Sequence, residues 1–69
     1  MNTSTVIYEG ADTTKTIETA TYVRWHDQYL EVTYHPDAPR HVDDDTLRQY
    51  GSESLRIPLA RVVEVQADE

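Results

Sequence analysis

The sequence has no cysteine, no phenylalanine, one lysine and two glycines. Without cysteine there is no disulfide, no thiolate zinc site and no thiol nucleophile. Two glycines leave little material for a glycine-rich loop that cradles phosphate. No apolar run approaches 18 residues, so no segment reads as a membrane-spanning helix. Met1-Asn2-Thr3-Ser4-Thr5 lacks the basic and apolar regions of a secretion signal, which points to the cytoplasm. Nothing in this list calls for a cofactor.

What is present is acid. The 69 residues carry 13 Asp and Glu against 6 Lys and Arg, a net charge of -7. A chain of this length makes one domain, residues 1–69, with one small core and ends expected to fray at 1–4 and 67–69. The acids run from Glu9 to Glu69, and five of the six basic residues are arginine: Arg24, Arg40, Arg48, Arg56 and Arg61. Scarce lysine, dense acid and abundant threonine resemble the small acidic proteins of salt-in halophilic archaea. In molar salt the carboxylates hold water, and their repulsion is screened over about 3 Å. Elsewhere, a charge of -7 would argue against nucleic acid. In a halophile it is background.

The residue pattern predicts a mainly β fold. Val6-Ile7-Tyr8 is a short strand, stopped by Glu9-Gly10-Ala11-Asp12. Ile17, Thr19, Thr21, Val23 and Trp25 alternate, and so do Leu30, Val32 and Tyr34. If these two series form a hairpin about Asp27-Gln28, Trp25 faces Leu30, Val23 faces Val32 and Thr21 faces Tyr34. On the other face, Arg24 meets Glu31 as an ion pair and Tyr22 meets Thr33. A one-residue slip would mix the two faces. The loop itself extends to residues 26–29 if Asp-Gln cannot close a two-residue turn.

Pro36 and Pro39 end this ladder, since proline cannot donate to it. One short helix is expected near residues 44–50. Asp43 would cap it, Val42 and Leu47 would staple it, and Gly51 would close it. Leu55 and Ile57 begin a further strand. Past Pro58, two readings stand: a strand over residues 62–66, or a helix that opens at the proline. About five short antiparallel strands with one helix suggest a small barrel or twisted sheet, SH3-like, Sm-like or pleckstrin-like. So thin a core suggests that salt or self-association contributes to stability, and a homodimer is expected.

Chemistry finds few footholds. His26, His35 and His41 lie near carboxylates, but the hairpin puts His26 roughly 20 Å from His35. A His35/His41/Asp metal site is the rival to solvated loop histidines, and no metal is expected. Asp43-Asp44-Asp45 lacks the alternating ligands of a calcium loop and reads as a helix start. No motif arranges a Ser-His-Asp triad, so no catalytic residue is expected. The aromatic residues stand out. Five tyrosines and one tryptophan are more than so small a core can bury. Tyrosine and arginine dominate protein interfaces and also stack on bases. Tyr22, Arg24, Tyr29 and Arg56 are therefore the expected protein-contact residues.

Arg24-Trp25, the run Val32-Thr33-Tyr34-His35-Pro36-Asp37-Ala38-Pro39 and the run Arg56-Ile57-Pro58-Leu59-Ala60-Arg61-Val62 resemble a set of short archaeal domains. Those domains carry an Arg-Trp pair, a strand ending in His-Arg-Gly-Ala-Pro and a terminal Ile-Pro-x-His-Arg-Ile segment. They have been proposed to recognise cyclic-phosphate RNA ends. Here Pro36 and Asp37 replace Arg and Gly, and Ala60 replaces the second His. The resemblance implies His35 and Arg61 as phosphate contacts. The leading expectation is a non-enzymatic, self-associating interaction domain. An RNA-binding module is the alternative, and a metal-dependent enzyme the third.

Overall fold

The computed structural model describes residues 3–39 and 42–67. Five strands form one antiparallel sheet: β1 (Ser4–Glu9), β2 (Thr14–Trp25), β3 (Tyr29–Tyr34), β4 (Glu53–Pro58) and β5 (Val62–Ala67). One short helix, α1 (Asp44–Leu47), lies between β3 and β4, and a 3-10 turn (Leu59–Arg61) joins β4 to β5. The order across the sheet is β4-β3-β2-β1-β5.

Threonine, valine, isoleucine and tyrosine fill β2 and β3, and such side chains suit a pleated surface. The β2–β3 register is the one the alternation predicts. Tyr22 faces Thr33, Val23 faces Val32, Arg24 faces Glu31 and Trp25 faces Leu30. His26 donates its backbone N–H to the Tyr29 carbonyl at 2.9 Å, so Asp27-Gln28 is the tip.

At the other end the prediction fails by one residue. Ala20, not Thr21, faces Tyr34, because a bulge falls between Ala20 and Tyr22. The cause is the length of β2. Its first half pairs with β1, and its second half pairs with β3, with Ala20 common to both ladders. A second irregularity, between Ile17 and Ala20, marks the β1 side of the same bend. Bulges bend a strand and increase its twist. Thr21 consequently turns out to solvent.

The sheet is open, not a closed barrel, since β4 and β5 hold its two edges and do not pair. It is nonetheless curled. Four Cα steps from Pro58 to Val62 span at most about 15 Å, whereas four strand spacings in a flat sheet span about 19 Å. The segment after Pro58 combines the two readings of the sequence: one helical turn, then a strand.

Inside the curl lie Val6, Ile17, Ala20, Leu30, Val32 and Ile57, with Tyr8, Val23, Tyr34, Leu55, Leu59, Val62 and Val65 packed around them. Gly10 closes the β1–β2 turn. An added Cβ there would sit 2.9 Å from the Thr13 carbonyl oxygen. Thr3 is buried, Ser4 opens β1 and Ala67 ends β5. Residues 1, 2, 68 and 69 fall outside the described part.

α1 is shorter than the helix expected over 44–50. Asp43 is its N-cap, accepting from the Thr46 backbone N–H at 2.7 Å. Its carboxyl is held below the usual 3.8 by hydrogen bonds from Thr46, the side chain first and the backbone second. Gly51 takes no left-handed conformation, so it does not close the helix. The 3-10 bonds of Gln49 to Thr46 and Tyr50 to Leu47 end it instead. A lowered pKa stabilises the fold above the unfolded-state value, and that contribution disappears as pH falls through the folded-state value. Asp43→Ala is therefore expected to lower the thermal midpoint at neutral pH. The gap to wild type should narrow in melts below about pH 4, where unfolded carboxyls protonate.

Candidate functional site

Strand alternation places every second residue on the solvent side of β2, β3 and β4. Two rows cross these strands. One is Tyr22, Thr33 and Ser54; the next is Arg24, Glu31 and Arg56. Tyr29 follows on β3, opposite Pro58. Tyr22, Arg24, Tyr29 and Arg56 thus come from three strands to one face, as the sequence predicts. The face spans about 10 Å across the three strands.

Its interactions are specific. Arg56 lies over the Tyr29 ring, 5.3 Å from the centroid. The His26 ring stacks on Tyr29, with centroids 4.4 Å apart and planes inclined by 22°. His26 Nε2 meets the Glu31 carboxylate at 2.7 Å. The hydrogen bond seen for Glu31 is therefore with His26, and its cross-strand neighbour Arg24 is not its partner. The tight tip is the reason, since it folds the His26 ring back over β3. Tyr29 and Arg56 become a braced unit, while Tyr22 is 44% exposed.

Two residues of this end were misjudged from sequence. Trp25 belongs by register to the core face, yet it is 59% exposed. It stands at the last pair of its ladder, on the tip end of β2. His26 reads as a solvated loop residue but stacks and pairs. A histidine three residues from a strand tyrosine, at a tip closed by the 26–29 pair, is the signal that could have shown it.

The other end of β3 holds a second cluster. His35 is buried, and its backbone exchanges hydrogen bonds with Thr19. Its N–H donates to the Thr19 carbonyl at 3.3 Å, and the Thr19 hydroxyl donates to its carbonyl at 2.7 Å. His35 Nδ1 lies 3.2 Å from the carbonyl oxygens of both Tyr50 and Gly51. Carbonyls only accept, so Nδ1 carries the proton. A pocket of about 260 Å³ opens beside it, lined by Thr21, His35, Asp44, Leu47 and Arg48. Near it, the Tyr34 hydroxyl donates to Glu53 at 3.2 Å. Burial first, then the Glu53 carboxylate, pushes the Tyr34 phenol above its usual 10.0.

The structure does not bring His35 and Arg61 together. His35 follows the Tyr34–Glu53 end of the β3–β4 ladder, while Arg61 follows the Tyr29–Pro58 end. Five residue steps separate those ends, roughly 17 Å. A single phosphate group spans far less. Among the described residues no three of His, Asp and Glu group to hold a metal ion. His41, the second ligand of the metal alternative, lies outside the described residues. No described helix is long and apolar enough to cross a membrane.

Compared with known proteins, the chain matches no family model, no curated protein and no solved structure.

Proposed function

We propose that this chain is a small, non-enzymatic interaction domain that works in the cytoplasm of a salt-in halophile and self-associates. We assign the solvent face of β2, β3 and β4 to a protein partner with an acidic surface. One observation carries this reading: Tyr22, Arg24, Tyr29 and Arg56 share that face although they come from three strands. Two of the chain's six basic residues stand there, in a molecule of net charge -7. Glu31 lies between them and is engaged by His26. The face is therefore a local basic island with exposed aromatic surface. Arginine and tyrosine anchors of this kind carry most of the energy in protein interfaces.

The partner is to be captured from a native extract in molar potassium chloride. Tyr22→Ala and Arg24→Ala are each expected to weaken that capture about tenfold, with wild-type circular dichroism. Both side chains are exposed, so neither change opens the core. Capture unchanged by either substitution would sink the assignment. Binding of labelled single-stranded RNA by the same face, lost in the same variants, would replace the protein partner with RNA.

A further inference from the structure

An open sheet leaves a row of backbone N–H and C=O groups unpaired along each edge, here along β4 and β5. Every ladder is antiparallel, so β4 and β5 run the same way at opposite edges. Setting β4 of one copy against β5 of another would give a parallel pair, the slightly weaker ladder. A half-turn about an axis normal to the sheet does better. It sets like edges antiparallel and keeps the outer faces on one side. Two self-pairings remain, β4 with β4 and β5 with β5.

The hydrogen-bond pattern shows what each edge offers, since bonded and non-bonded pairs alternate along an antiparallel ladder. The Gly10 N–H donates to the Thr13 carbonyl, so Tyr8 and Val6 bond toward β2. Ile7 and Thr5 then bond toward β5, to their partners Glu64 and Gln66. The N–H and C=O of Val65, between those two, point out to the free edge. On β4, the Leu59 N–H donates to the Gln28 carbonyl, so Ile57 and Leu55 bond toward β3. Ser54, Arg56 and Pro58 point out. That edge is guarded: Pro58 has no N–H to offer, and Arg56 puts a cation on it. β5 has no such guard. From Val62 to Gln66 it has no proline and no basic residue, and its single charge is Glu64. Its bulge falls between Val62 and Glu64, which leaves Glu64 to Gln66 regular.

Two registers match the faces of β5 with itself over most of its length. One sets Glu64 opposite Glu64 of the second copy. The two carboxylates then meet in a non-bonded pair, where side chains come closest. The other sets Val65 opposite Val65, and Glu64 meets Gln66 of the second copy on both sides of the axis. Gln66 donates to Glu64 within one copy, so both side chains stand within reach on the outer face. The same donor and acceptor answer each other across the axis. Val65 exchanges two backbone bonds with its counterpart. Its side chain packs against the core and meets an identical one on that layer. We infer that β5 pairs antiparallel with β5 of a second copy about a two-fold axis at Val65, with Glu64 opposite Gln66. The inference rests on the self-associating part of the proposed function and not on the partner-binding face. An isologous contact of this kind closes at a dimer.

Sedimentation velocity tests it, in the lowest potassium chloride concentration that keeps the wild type folded by circular dichroism. The wild type should sediment as a dimer of the 8.0 kDa chain. Gln66→Glu sets a like pair on each side of the axis and should weaken association roughly tenfold. Gln49→Glu makes the same change of charge in the exposed turn after α1 and should associate as wild type. The chain has no cysteine of its own, so single cysteines report the register. Val65→Cys places two thiols across a bonded pair, with Cα atoms about 5.5 Å apart, and should cross-link on oxidation. Glu64→Cys places them on a diagonal of about 7–8 Å and should not. A monomeric wild type would overturn the inference together with self-association. A wild-type oligomer in which Gln66→Glu weakens association no more than Gln49→Glu, or in which Val65→Cys fails to cross-link, would overturn the β5 pairing alone. Cross-linking through position 64 in place of 65 would overturn the register.

Discussion

Leu30→Ala is expected to leave most molecules unfolded well below the melting temperature of the wild type. Leu30 is fully buried near the start of β3, flanked across the ladders by Trp25 and Ile57. Truncating a buried leucine costs about 2–5 kcal/mol, the larger values arising where neighbours cannot close the cavity. Here they are held on both sides by strand pairing and have little freedom to collapse. A 69-residue domain has about 3–10 kcal/mol of stability in total, at roughly 0.05–0.15 kcal/mol per residue. One methyl cluster is therefore a large share of it. In a small domain each kcal/mol lost lowers the midpoint by about 4–8 °C. A drop of more than about 10 °C in a thermal melt followed at far-ultraviolet wavelengths is the expected reading. Val63→Ala is the control. That valine is exposed, and its loss should change stability by less than about 0.5 kcal/mol. If Leu30→Ala melted within a few degrees of wild type, the assigned core would be wrong.

The second large effect is expected from salt. With 13 acids on 69 residues, the folded chain concentrates negative charge that the unfolded chain spreads out. At 0.1 M salt the screening length is about 10 Å, comparable with the spacing of neighbouring surface carboxylates; at molar salt it falls to about 3 Å. The described ion pairs do little to offset the repulsion. Arg48 and Asp45 are 3.9 Å apart and almost fully exposed. Such pairs contribute about 0–1 kcal/mol. Raising potassium chloride from 0.1 M to about 3 M should therefore raise the thermal midpoint, on the order of 10 °C. Sodium sulfate at the same ionic strength should do at least as well, since an excluded anion also strengthens apolar burial. A midpoint that stayed flat or fell would remove the halophile assignment, and the acidity would then need another explanation.

These two expectations draw on different levels of the molecule. The expected salt response rests on composition alone, because net charge and its spread need no coordinates. The core was legible in part. Leu30, Val32 and Ile17 announce themselves by alternation with polar neighbours, and they are buried. Trp25 alternates just as well and is exposed. Alternation reports which face a residue is on, but not how much of that face its neighbours cover.

The contact face shows the same division. Residue parity on β2 and β3 put Tyr22, Arg24 and Tyr29 on one side, since a pleat admits no other assignment once the register is set. Bringing Arg56 beside them required knowing that β4 pairs with β3, a contact between residues far apart in sequence. The Asp43 cap was readable because a cap and the N–H it binds are three residues apart. The partner of Glu31 was not. Arg24 and His26 both lie near it, and only the path of the tip decides between them.

The sequence by itself thus determined the fold class, the hairpin register, the helix start and the acidic surface. Each depends on local spacing or on simple counting. Tertiary structure alone decided the bulge at Thr21, the curl that stops short of a barrel and the His26–Tyr29–Arg56 stack. It also decided the separation of His35 from Arg61. The bulge follows from one long strand having to serve two partners, β1 along its first half and β3 along its second. Such a constraint involves three segments at once, and no local pattern of residues records it.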